Sequence, residues 1–227
     1  MANLIAAVLF FLGIHFGISG TRLRDRLVQL VGEKPYRGLF ALASIVGLVW
    51  LIRAYSRAPY IELWGQLRAL QPLAAPLVLV AVALVVIGIT TPNPTAVGGD
   101  AQLKRGIQAR GITRITRHPF LWGTAIWATV HFIINGDVAS SLVFGSFLLL
   151  TLAGTASIDN KRRRAYGADW ELFARQTSNV PFAAIVAQRN HFAPAVHEIG
   201  LARPLLAIAV FAALFLLHGR LFGAPLT

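Results

Sequence analysis

Six histidines carry most of the chemistry open to this chain. His15, His131 and His218 fall inside strongly apolar runs, His118 stands at the threshold of another, and His191 and His197 lie in a long polar connection. A polar ring at lipid depth is costly, so it is retained where it binds something or bonds a neighbouring helix. The segment ITRHPFLWGTAIWATVHFIINGD, Ile115 to Asp137, holds two of them, 13 residues apart. On a regular helix that spacing is ~19.5 Å along the axis and ~140° around it, so His118 and His131 cannot grip one ion as a pair. Each serves a separate purpose, or one finds its partner on another helix. Arg117 and Pro119 set His118 at a membrane boundary, where proline is tolerated in a first helical turn. His15 lies among Gly13, Gly17 and Gly20, a stripe that predicts close approach of one helix while the imidazole faces a different neighbour. His218, beside Arg220, reads as a packing hydrogen bond, and His191 and His197 as solvated side chains.

The nine acidic residues, Asp25, Glu33, Glu62, Asp100, Asp137, Asp159, Asp169, Glu171 and Glu198, all fall outside the apolar runs. This argues against a carboxylate proton relay, a carboxylate-bound divalent metal and cation-coupled transport, which need acids at depth. With no cysteine in the chain, disulfides, iron–sulfur clusters, thiolate-ligated haem and a cysteine nucleophile are excluded. Two neutral imidazoles from two helices suit a b-type haem held by axial histidines inside a helical bundle. Arginines near helix ends, Arg22, Arg114 and Arg117, are candidates to pair with the haem propionates. A structural membrane protein whose histidines are packing hydrogen bonds would use the same residues.

The elements that must position these groups are transmembrane helices. Hydrophobic residues make up 56% of the 227 and charged ones 13%, and the mean hydropathy is +0.64; this is the composition of an integral membrane protein. Six apolar runs, at 3–20, 36–52, 72–90, 119–134, 138–157 and 204–218, approach the ~20 residues needed to cross a bilayer. The second, fourth and sixth need flanking residues or a thinned bilayer. Strand-like alternation is nearly absent, so the expected fold is an all-α polytopic bundle of about six transmembrane helices in a single domain, residues 1–227. The opening MANLIAAVLFFLGIHFGISG lacks a basic n-region and reads as a first span. The net charge of +12 points to membrane lipids as partners, not nucleic acid, because the basic residues lie between apolar runs. Alternate gaps hold 17 and 4 of the Lys and Arg residues, which puts the richer side in the cytoplasm of a bacterial inner membrane and both termini in the periplasm. Between 53 and 70, Tyr60 and Trp64 suit the outer interface. In the connection 159–203, Tyr166, Trp170 and Phe173 recur at helical spacing opposite a basic cluster, which predicts a helix lying flat on the inner leaflet.

Four blocks in order, GIHFGISGTRLRDRLVQLVGEKPYRGLFAL, ITRHPFLWGTAIWATVHFIINGD, RRRAYGADWELF and QTSNVPFAAIV, resemble the NnrU family of bacterial membrane proteins and its plant and cyanobacterial relative, zeta-carotene isomerase. The resemblance implies a b haem bound by two histidines, His15 and His131, with His118 a further functional histidine; His118 and Arg117 are the candidate catalytic residues. In the isomerase branch it implies a ferrous haem, freed of one axial histidine, that rotates a cis double bond of an apolar polyene. In the bacterial branch it implies an accessory role in nitrite and nitric oxide metabolism (denitrification). The chain departs from the isomerase pattern at Phe16 and in LAGTASID of the fifth run. A second likeness, Arg117-His118-Pro119 followed by Asp159, Tyr166, Gly167 and Trp170, is similar to membrane methyltransferases of the isoprenylcysteine carboxyl methyltransferase type. It implies S-adenosylmethionine bound at the cytoplasmic end of the bundle. Depth in the membrane does not decide whether His131 or His118 partners His15, since each differs from it by roughly 10 Å on straight helices.

Overall fold

The computed structural model of the chain describes residues 1–96, 98–99, 102–103 and 108–222; Asp100 lies outside them. Among the described residues the chain is helical with no strand, apart from one isolated bridge between Glu62 and Asp137. Five helices are long and apolar enough to cross a membrane, at Ala2–Ser19, Glu33–Ser56, Arg68–Thr90, Val138–Gln176 and Ala202–Phe222. The chain is a multi-pass, all-α membrane protein. Two of the short runs gain length from their flanks: α3 is Glu33–Ser56 and α10 is Ala202–Phe222. The fourth run does not. It forms α6, Pro119–Asn135, of 17 residues, or about 26 Å at the helical rise. Proline starts this helix, and Gly136, at φ +63°, stops it.

One compact unit comprises Met1–Gln71 and Ala128–Leu150. Here α1 (Ala2–Leu12) runs into a π-helical stretch, Gly13–Ser19, followed by the short α2 (Leu23–Val31) and α3. The core brings Leu4, Ala7 and Val8 of α1 against Leu51 and Ala54 of α3, and against Ala139 and Val143 of α7 (Val138–Gln176). Lipid is as apolar as these side chains, so the gain is close packing. It shows at Gly47, where an added methyl would meet the rings of Phe10 and Phe11 at 3.0 to 3.3 Å. The stripe expected to receive a helix does not: Gly13 and Gly17 have nothing within 4 Å of where a side chain would start. The small residue that matters is on the partner helix. The loop after α3 is fastened to the α6–α7 corner, because the Gly136 carbonyl accepts the N–H groups of Leu63, Trp64 and Gly65 at 2.9 to 3.1 Å. Trp64 Nε1 also donates to the Ile133 carbonyl at 2.9 Å.

The second unit holds Pro72–Trp127 and the chain from Thr151 onward. Helix α4 (Gln71–Thr90) meets α6 backbone to backbone: a methyl on Gly123 would lie 2.6 Å from the Ala81 carbonyl oxygen, and one on Gly88 would lie 2.9 Å from the Pro119 ring. Short helices α5 (Ile112–Ile115), α8 (Ala183–Val186) and α9 (Phe192–Ile199) follow the same chain path, with Ile87, Ile112, Ile115, Ala195 and Ile199 forming one core. The interfacial helix expected over the aromatic residues after Asp159 is corrected. Helix α7 continues to Gln176 with a break at Gly167 (φ 48°, ψ −116°). Trp170 and Phe173 are buried, 0% and 1% exposed, against Leu103. Helical spacing marked a packing face correctly, but protein covers it, not lipid.

Candidate functional site

In the first unit His15 sits on the π-helical stretch, a geometry that recurs at functional positions. Its Nδ1 donates to the Phe11 carbonyl at 2.7 Å. A carbonyl only accepts, so the proton is on Nδ1 and the neutral ring presents its lone pair at Nε2, the arrangement found in metal-ligating histidines. Rings flank it on two sides, Phe11 at 4.5 Å and Phe40 at 5.3 Å. The half-buried His131 of α6 lies 4.9 Å from Phe144 of α7. Phe11 reaches the same helix at Phe147, 5.5 Å away. Phe144 and Phe147 are three residues apart and share a helix face. Thus the two imidazoles, 116 positions apart in sequence, border one aromatic surface in one compact unit. Tyr55 packs on Phe144 at 6.0 Å and fixes its hydroxyl to Ser140 at 2.8 Å.

In the second unit Arg117 and His118 converge on Asp159 of α7. His118 Nε2 donates to Asp159 Oδ1 at 2.7 Å. Arg117 Nε lies 3.0 Å from both carboxylate oxygens, and Nη2 donates to Oδ2. The proline that follows His118 disfavours the helical region for it, and His118 lies just outside α6. The backbone there is locked: Asn93 Nδ2 and Thr95 Oγ1 donate to the Arg117 carbonyl at 3.0 and 2.6 Å, and Arg117 N–H donates to the Ser178 carbonyl at 3.0 Å. The Arg117 guanidinium lies over the Trp170 ring, 5.7 Å from its centroid. With its side chain 1% exposed, His118 is pushed by burial below the ordinary histidine range, against the opposing pull of its bond to Asp159. The chemistry available is that of a neutral imidazole between a carboxylate and a dry interior.

Two arginines expected near a cofactor part company. Arg114 has partners within the protein: its guanidinium donates twice to Glu198, at 2.8 Å each, and once to Asn190 at 2.8 Å. One two-pronged side of its fork is matched to a carboxylate. The partnership holds Glu198 down to about 2, through Arg114 first and the Gly111 N–H as well. Arg22, exposed at the start of α2, makes no ion pair among the described residues. In the sequence Asp159 stands out as one of nine acids outside the apolar runs and as the acid of the second likeness, whereas Asn93 and Thr95 do not stand out. The Arg-His-Pro turn was a signal for the former, while nothing in the sequence marks the latter. No group of three or more His, Cys, Asp or Glu side chains suited to a metal ion occurs among the described residues.

Comparison with known proteins covers nearly the whole chain. The family model described as NnrU protein matches residues 3–226. The chain is 30% identical over 228 residues to the chloroplastic 15-cis-zeta-carotene isomerase of Arabidopsis thaliana, covering 98% of this chain and 59% of that protein. To the Zea mays protein of the same name it is 27% identical over 226 residues, covering 98% and 60%. The chain therefore spans about three-fifths of the length of these relatives. No solved structure matches it. With a family model that runs from the first span to the last helix, this chain belongs to the NnrU family.

Proposed function

We propose that the chain is a haem b-binding membrane protein with isomerase-like chemistry, in which His15 and His131 would hold the haem. The observation that carries this reading is the His15 ring, tethered through Nδ1 to the Phe11 carbonyl so that Nε2 is the coordinating atom. The donor set fits the group: two imidazoles, no thiolate, and an aromatic surface from Phe11, Phe144 and Phe147 beside both. When bound, a ferrous b haem would supply the electronic interaction that lowers the barrier to rotation about a polyene double bond. The chain's own part is to hold, orient and exclude water. The Phe11 carbonyl fixes the His15 tautomer, Phe144 backs His131, and the guanidinium of Arg22, with no ion pair among the described residues, would be available to a propionate. The relatives named as 15-cis-zeta-carotene isomerases support an apolar polyene as substrate class, while a nitrogen-oxide role would use the same ligands. We assign Arg117 and His118 to positioning α6 through Asp159. We also assign the chain to a bacterial cytoplasmic membrane with its arginine-rich gaps inside and both termini in the periplasm.

The test is optical. Protein purified in neutral detergent and titrated with haemin is expected to give a Soret band that sharpens and shifts on dithionite reduction. His15→Ala and His131→Ala should each abolish the six-coordinate spectrum while the far-UV circular dichroism stays helical. A wild-type protein that takes up no haem refutes the proposal; if it instead binds S-adenosylmethionine, the methyltransferase likeness gains the ground.

A further inference from the structure

A second candidate site lies in the second unit, around the end of α7 and the turn that follows it. It is a groove of about 470 Å³, with Arg117, Arg163, Arg175 and Arg189 in its lining against a single acid, Glu171. Two of the four arginines are neutralised within the protein, Arg117 by Asp159 and Arg163 by Glu171 at 2.8 Å. The other two are not. Arg189 has no carboxylate partner among the described residues; its Nη1 donates to the carbonyls of Arg175 and Thr177 at 2.7 and 3.0 Å, which fixes the guanidinium in place. Arg175 is exposed and makes no ion pair among the described residues. Two guanidinium groups lining one groove repel each other unless an anion sits between them. A ligand with several acceptor oxygens answers that need, and guanidinium groups match the geometry of phosphate oxygens.

The wall also contains Val180 and Ala183, and the chain there leaves apolar side chains bare: Val180 is 56% exposed, Phe182 47% and Val186 81%. A wholly water-soluble anion would have no use for them. An anionic headgroup with acyl chains attached would use both surfaces, the guanidinium pair for the phosphate and the valines and phenylalanine for the chains. We propose that this groove is a binding site for the phosphate of an anionic phospholipid.

The experiment uses the full chain in a neutral detergent and measures binding of short-chain phosphatidylglycerol, short-chain phosphatidylcholine and inorganic phosphate at several salt concentrations. Phosphatidylglycerol is expected to bind with an affinity that falls as salt rises. Arg175→Gln, which removes no intraprotein bond, should weaken it roughly fivefold, the value of one arginine near an anionic surface. Arg189→Lys keeps the charge but not the fork, and should weaken it less than Arg189→Gln. Arg220→Gln, on α10, should leave it unchanged. Equal binding of phosphatidylcholine, or an Arg175→Gln affinity equal to the parent's, overturns the site. Inorganic phosphate binding as tightly as phosphatidylglycerol overturns the lipid as its source.

Discussion

Removing the Asp159 carboxylate tests what holds the start of α6. In Asp159→Ala, Arg117 loses its only carboxylate among the described residues and His118 its hydrogen-bond partner at Nε2, in a place where the side chains are 12% and 1% exposed. Breaking a buried ion pair by deleting one member costs about 3–5 kcal/mol, because the remaining charge is stranded. The lower end applies here, since Arg117 keeps the face of Trp170 beneath it. For a chain of this size about 3 kcal/mol corresponds to a fall of roughly 6–12 °C in the unfolding midpoint. Tryptophan fluorescence during heating in detergent reads this directly, with Trp122 and Trp170 in the same unit as the network. Replacing both partners, Arg117→Met with Asp159→Leu, leaves no stranded charge and should recover more than half of the loss. A fall of less than about 3 °C for Asp159→Ala, or a double variant as poor as the sum of the two single ones, would refute the reasoning.

Three further outcomes follow from the structure. Gly136→Ala forces a side chain into φ +63° and drives its methyl into the Gly65 carbonyl oxygen, so it should cost about 2 kcal/mol or more, seen as a lower midpoint and poorer detergent-extracted yield. Gly123→Leu must push α4 off α6, where even a methyl would lie 2.6 Å from the Ala81 oxygen; about 1–3 kcal/mol is expected, with Gly154→Leu, in a looser spot, as the milder comparison. Glu198 titrates at about 2 in the folded chain against an ordinary value of 4.5. Its contribution is therefore complete above pH 4.5, shrinks as the pH falls toward about 2, and is absent below that. Glu198→Gln should flatten the loss of stability across this window, measured by acid titration of the unfolding midpoint.

Much of the helical framework was legible because lipid imposes a simple rule: every long apolar run must satisfy its own backbone, and only a helix does so. The runs at 36–52 and 204–218 were read too short because Lys34, Pro35 and Arg203 are polar or helix-breaking in isolation, whereas within a first turn they are tolerated. Partners were harder to read than elements. Tyr166, Trp170 and Phe173 announce a face but not what lies against it. Arg114 shows in the sequence as a basic residue near a helix end, but its pairing with Glu198, 84 residues away, does not. The glycine stripe in the first span was visible, yet the close contact uses Gly47 of another helix. The π-helical stretch at His15 has no sequence signature, because one extra residue in a turn is decided by tertiary packing and not by residue type. What the sequence did mark was which imidazoles would end up half-buried rather than solvated, since depth in an apolar run is a local property.

The Gly136 carbonyl collects three N–H groups from a stretch with no regular secondary structure. Amide exchange usually separates helix from loop, slow in one and fast in the other. Here the amides of Leu63, Trp64 and Gly65 should be among the slow ones, and a protease probing the connection between α3 and α4 should find little to cut at those three peptides.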